Sequence, residues 1–93
     1  MIIKLKIYFY SVFDKGNVIL EFDEKATVWD VIEELNRLYG ERFQEEYGKS
    51  LPEAFSQDFN VFLNHSYLKF PAENKRKLKN NDQFLISRPI SGG

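Results

Sequence analysis

Residues 2 to 10 read Ile2-Ile3-Lys4-Leu5-Lys6-Ile7-Tyr8-Phe9-Tyr10, and their alternation dictates what the rest of the chain must supply. Ile3, Leu5, Ile7 and Phe9 fall on one side and Lys4, Lys6, Tyr8 and Tyr10 on the other, the period of two of a half-buried strand. The polar run Asp14-Lys15-Gly16-Asn17 offers residues that tolerate positive φ. Beyond it Val18, Leu20 and Phe22 form a second inward set, with Ile19 and Glu21 outward, so residues 2–23 predict a hairpin. A sheet with one apolar face needs a cover. Thr27 followed by Asp30 forms a capping box, and Val28, Val31, Ile32, Leu35 and Leu38 recur at helical spacing. The helix is expected over 28–39, closing at Tyr39 and Gly40, where glycine accepts the left-handed conformation of a helix end.

Phe43, Tyr47, Leu51 and Phe55 recur every four residues, but Gly48 and Pro52 forbid one continuous helix through them. A short helical turn near 41–47 and then an irregular packed segment are expected. From Asp58 the alternation resumes: Phe59, Val61 and Leu63 inward, Asn60, Phe62 and Asn64 outward, then a turn at Asn64-His65-Ser66. A short strand is expected near 67–70, ended by Pro71, which cannot donate to a ladder. Asn80-Asn81-Asp82 turns into a last strand with Phe84 and Ile86 inward and Gln83, Leu85 and Ser87 outward. The predicted class is α+β: a mixed four- to five-stranded sheet with one main helix packed across one face.

At 93 residues and 43% hydrophobic content, one core is the most the chain can support, so residues 1–93 are expected to form a single domain with a flexible tail at 89–93. So small a domain leaves little room for a deep catalytic cleft of its own. The net charge of −1 gives no global field toward nucleic acid or acidic membrane. The charge is uneven, however: residues 1–20 carry net +2, residues 21–58 net −7 and residues 59–93 net +4. Absence of cysteine removes disulfides, thiolate nucleophiles and zinc–sulfur sites. The N-terminus Met1-Ile2-Ile3-Lys4 has neither a signal-peptide core nor a membrane span, so a cytoplasmic, membrane-free protein is expected.

The sequence finishes Arg88-Pro89-Ile90-Ser91-Gly92-Gly93. By average usage, two terminal glycines arise by chance in roughly 0.5% of chains, and directly after the last strand of this layout they stand out further. A cargo held on a terminal carboxylate must be threaded into another enzyme's active site. Glycines permit that close approach, Pro89 biases Arg88 to extended backbone, and residues 89–93 reach about 17 Å.

With these residues in view the whole chain resembles the MoaD/ThiS family of ubiquitin-like, β-grasp sulfur carriers, and within it the molybdopterin synthase small-subunit branch. The matches are the first strand Ile3 to Phe9, the helix start from Thr27 to Leu38, Val61-Phe62-Leu63-Asn64 against a Val-x-Val-Asn strand end, and Leu78-Lys79-Asn80-Asn81-Asp82 against a Leu-Lys-Asp-Gly-Asp turn. Phe84 to Gly93 stands against the strand and Pro-Pro-Val-x-Gly-Gly tail. Arg88 replaces the first tail proline, Asn81 the turn glycine, and His65-Ser66 a Gly-Arg pair; asparagine tolerates positive φ well enough to keep the turn. The extra length at 41–57 sets the chain nearer MoaD than ThiS.

The resemblance implies that Gly93, with Gly92 beside it, is adenylated by a ubiquitin-activating-like enzyme at the expense of ATP. A sulfur donor then displaces AMP, and the thiocarboxylate passes sulfur to a molybdopterin synthase large subunit or another acceptor. No autonomous catalysis, no bound cofactor and no metal are expected of the chain itself. Two other readings share the activated tail: a modifier joined to lysines through Gly93, and a carrier for thiamine or cysteine synthesis. A third is an interaction module whose tail is never activated.

Partners are expected to read the tail residues Arg88, Pro89, Ile90 and Ser91 and the outward set Tyr8, Tyr10, Ile19, Phe62 and Leu85, an apolar face of the kind that marks a docking surface. Segment 41–57 folding over part of that face is the alternative. His65, the only histidine, reads as a turn residue rather than a catalyst or ligand. Lys75, Arg76, Lys77 and Lys79 read as a solvated loop, with docking to an acidic groove as the other use. Glu33, Glu34, Glu45 and Glu46 read as solvated helix faces.

Overall fold

The inward row of residues 2–10 pairs on both sides, which makes this segment a central strand. The computed structural model describes residues 2–10, 16–70 and 72–87. The expectations placed on Asp14 and Lys15, on Pro71, and on Arg88, Pro89, Ile90, Ser91, Gly92 and Gly93 therefore lie outside the described residues. In chain order the elements are β1 (Ile2–Tyr10), β2 (Asn17–Asp23), α1 (Val28–Tyr47), α2 (Leu51–Gln57), β3 (Asn60–Leu63), β4 (Ser66–Tyr67) and β5 (Gln83–Ser87). They form a five-stranded sheet in the order β2-β1-β5-β3-β4. β1 and β5 run parallel, and the other neighbours are antiparallel. This mixed sheet with a helix across it is the β-grasp arrangement expected from the sequence.

The alternation was read in the correct phase throughout. Ile3, Leu5, Ile7, Phe9, Val61, Leu63, Phe84 and Ile86 are buried with Val28, Val31, Ile32 and Leu35 of α1 in one core, and Val18, Leu20 and Phe22 are half-buried against it. The Thr27 capping box is present: the Thr27 N–H donates to Asp30 Oδ2 at 2.7 Å. The first amides of α1 find further acceptors, Val28 N–H on Arg76 O and Trp29 N–H on Asn74 O, both at 2.9 Å. The basic loop is thereby fastened at its backbone while Lys75, Arg76, Lys77 and Lys79 stay exposed.

The helix does not close at Gly40. α1 runs through it for 20 residues and ends at Gly48, which takes φ 71°. The reason lies in the face presented: Leu35, Tyr39, Phe43 and Tyr47 fall four residues apart, and Phe43 is buried. Continuing the helix thus buries more than stopping it would. Leu38, counted inward from the sequence, is 41% exposed, while Tyr39 turns in to meet the Phe9 ring edge-on at 5.7 Å.

The segment expected to be irregular after residue 47 holds a second helix. Ser50 caps it, accepting from Glu53 N–H at 3.3 Å, and Pro52 sits in its first turn, where proline has no amide to lose. Phe43, Tyr47, Phe55 and Phe59 then stack as an aromatic group, with ring centroids 4.6 to 6.2 Å apart. The short strand after the turn is β4, at 66–67 rather than 67–70, because Leu68 leaves the ladder to enter the core at 2% exposure.

Candidate functional site

Strand register carries one row of side chains straight across the uncovered face. Tyr8 lies beside Leu85, Leu85 beside Phe62, and Phe62 beside Tyr67. The last pair meets edge to face at 5.5 Å. Leu85 is 38% and Tyr67 50% exposed, and Tyr8 and Phe62 are half-buried. A depression of about 350 Å³ lies along the row, lined also by Asn64, His65 and Gln83.

The rim beside this floor is fixed in place. Asn64 Nδ2 donates to Asp82 Oδ1 at 2.7 Å, and Asn64 Oδ1 accepts from Gln83 N–H at 2.9 Å. Asp82, almost buried, accepts from Lys79 N–H through its other oxygen at 2.7 Å. These bonds join the β3–β4 turn to the start of β5, and a rim held this way loses little freedom when a partner arrives. Asn64 and His65 both take positive φ, 50° and 77°, which matches a two-residue hairpin turn to the twist of the strands. At the other end Lys6 Nζ stands 5.7 Å from the centre of the Tyr8 ring, a cation–π distance.

Of the outward residues expected at a docking face, the structure brings Tyr8, Leu85 and Phe62 together. Tyr10 sits one step along, beside Ser87. Ile19 is also exposed, but it pairs with Lys6 on the far side of β1 and lines a separate shallow groove with Lys4, Asn81 and Gln83. Segment 41–57 does not cover the row: Phe43, Leu51 and Phe55 are buried in the core. The sequence reading missed Tyr67. A two-residue turn at 64–65 would have placed it, since that loop length forces residue 67 opposite residue 62.

The ionisable groups displaced from their ordinary range lie away from this face, on the helices. The Arg37 guanidinium, hydrogen-bonded to Glu34, holds the Glu34 carboxyl low, and Asp58 at 2.6 Å holds the Lys49 ammonium up. No group of three or more His, Asp or Glu among the described residues could hold a metal ion, and no helix among them is long and apolar enough to cross a membrane. An apolar floor, a fixed polar rim and a flanking ammonium make a surface suited to binding.

A family model described as the ThiS family matches residues 8–93. No curated relative matches at a significant level. Among solved structures, a putative molybdopterin converting factor subunit 1 from Pyrococcus furiosus is 25% identical at a TM-score of 0.69, covering 95% of this chain and 99% of that one. Small archaeal modifier protein 1 from Methanosarcina acetivorans is 20% identical at 0.67, covering 100% and 99%. A complex of molybdopterin-converting factor subunits 1 and 2 from Helicobacter pylori contains a chain 15% identical at 0.56, covering 98% and 100%.

Proposed function

We propose that this chain, which belongs to the ThiS family, is a sulfur carrier whose Gly93 carboxylate is activated by a partner enzyme and converted to a thiocarboxylate. The carboxylate attacks ATP and releases pyrophosphate, leaving an acyl adenylate; sulfur from a donor then displaces AMP. Activation divides one difficult substitution into two easier ones. The chain's part is to dock and to present its tail.

The observation that carries this reading is the Tyr8–Leu85–Phe62–Tyr67 row. It lies on the open face of the sheet, and β5, which contributes Leu85, is the strand that leads into residues 88–93. A partner that grips the row therefore grips the root of the tail. The likeness to a molybdopterin converting factor subunit 1 favours molybdopterin synthesis as the pathway, with a large synthase subunit as acceptor. The likeness to an archaeal modifier keeps conjugation to lysines as the second reading.

Intact-mass measurement of protein from its native cell, with the C-terminal peptide sequenced, tests the proposal. One oxygen of Gly93 replaced by sulfur is the expected result. Gly93 found joined to lysines of other proteins, with no thiocarboxylate, selects the modifier reading. An unreacted carboxylate after incubation with an activating enzyme and ATP overturns both.

A further inference from the structure

The sheet has a second open feature, on the far side of β1 from the row. Among the described residues no strand lies beyond β2, the edge of the sheet. Phe9 N–H donates to Gly16 O at 2.9 Å, and with the observed register this places the hydrogen-bonded pairs at Ile7–Val18, Leu5–Leu20 and Ile3–Phe22. The main-chain groups of Asn17, Ile19 and Glu21 therefore point off the sheet. The same phase appears on β1, whose Lys4 and Lys6 backbone groups bond toward residues 80–82 instead. An edge of this kind is a template for another strand.

Three properties of the edge say what fits it. Ile19 is 60% exposed on one side. On the other side Phe22 and Ala26 floor a groove between β2 and α1, walled by Glu21, Asp23, Asp30 and Glu33. Of the two bases in that groove, Arg37 is already held by both oxygens of Glu34, which leaves Lys25 against the carboxylates. A second copy is a poor occupant: β2 reads Asn17-Val18-Ile19-Leu20-Glu21-Phe22-Asp23, without a base, and an antiparallel pair of them would align acids along one seam.

We propose that the outer edge of β2 and the acidic β2–α1 groove accept an extended, basic peptide segment of a partner protein as a sixth strand. Its backbone bonds Asn17, Ile19 and Glu21. Alternate side chains do two jobs: lysine or arginine stems cross Phe22 with their charges at Asp30 and Glu33, and apolar residues lie beside Ile19. Because the row on β1, β5, β3 and β4 is separate, the chain can hold this segment and a tail-reading partner together.

The test is amide hydrogen exchange of the full chain, followed by NMR, with a seven-residue peptide alternating lysine and valine. Exchange at Ile19 and Glu21 is expected to slow by roughly tenfold or more while Val18, Leu20 and Phe22, already bonded within the hairpin, change little. Glu33→Lys, a change on the exposed side of α1, is expected to abolish the effect in a protein whose melting is unaltered. The proposal is overturned if those amides are unprotected at saturating peptide, or if a glutamate–valine peptide protects them equally. It is also overturned if they are protected without peptide in a concentration-dependent dimer.

Discussion

Asn64 and Asp82, eighteen residues apart, are joined by a 2.7 Å hydrogen bond from amide to carboxylate, and this bond holds the hairpin turn against the entrance to β5. Asp82 also receives Lys79 N–H at 9% exposure. Asp82→Ala strands both donors and is expected to cost about 1–3 kcal/mol, read as a lower urea midpoint at unchanged slope. A loss below a few tenths would mean that water replaces the carboxylate without penalty.

Gly40 lies inside α1, where glycine costs about 0.5–1 kcal/mol relative to alanine. A Cβ there would come within 2.5 Å of Asn36 Oδ1, but Asn36 is exposed and its amide can rotate away. Gly40→Ala is therefore expected to raise the melting temperature, and Gly40→Ala with Asn36→Ala to raise it further. If the single change destabilises, the Asn36 side chain is not free to move.

His65 at φ 77° occupies a conformation that costs a residue with a Cβ about 1 kcal/mol. His65→Gly removes that strain and restores the asparagine–glycine pair such turns favour. Thermal unfolding should move upward by a few degrees. A fall would show that the imidazole contributes packing at the rim.

Leu85 is central to the apolar row, and its side chain faces away from the core. Leu85→Lys is expected to leave folding intact while weakening association with an activating enzyme by roughly tenfold or more, as loss of a central apolar anchor does. Titration calorimetry on the pair decides it. Unchanged affinity would move the docking site off this face.

The Glu34 carboxyl is held low chiefly by its hydrogen bond to Arg37, with their charge attraction adding to it. A depressed carboxylate favours the fold above its unfolded pKa, and that contribution disappears as pH falls through the folded value. The pair is on the surface, so the contribution is small and salt-sensitive. Side-chain carboxyl NMR should place the Glu34 midpoint below the ordinary range, and Arg37→Ala should return it. An ordinary midpoint in the parent protein would mean that the pair is not formed in solution.

The sheet was legible because period two is short: five residues such as Gln83 to Ser87 suffice to set a face, and an error of one residue would have reversed it. The long helix was not, because Gly40 and the exposed Leu38 interrupted a pattern whose continuation, Tyr39, Phe43 and Tyr47, had been assigned to the next segment. Pro52 was read as a breaker when it is an initiator; only the neighbouring Ser50 and Glu53 distinguish the two uses. At the docking face Tyr8, Phe62 and Leu85 could be inferred from alternation alone. Their alignment into a row with Tyr67 required register, which alternation does not contain.

The parallel pairing of β1 with β5 has a consequence for the chain during its synthesis. β5 lies between β1 and β3, so the sheet stays in two pieces until residues 83–87 have left the ribosome. A loop of more than seventy residues must then close at once, which makes folding late and slow. A nascent chain cut short before Gln83 cannot complete the sheet or assemble the Tyr8–Leu85–Phe62 row. Any enzyme that recognises the row is thereby spared contact with broken copies, and proofreading of synthesis is built into the order of the strands.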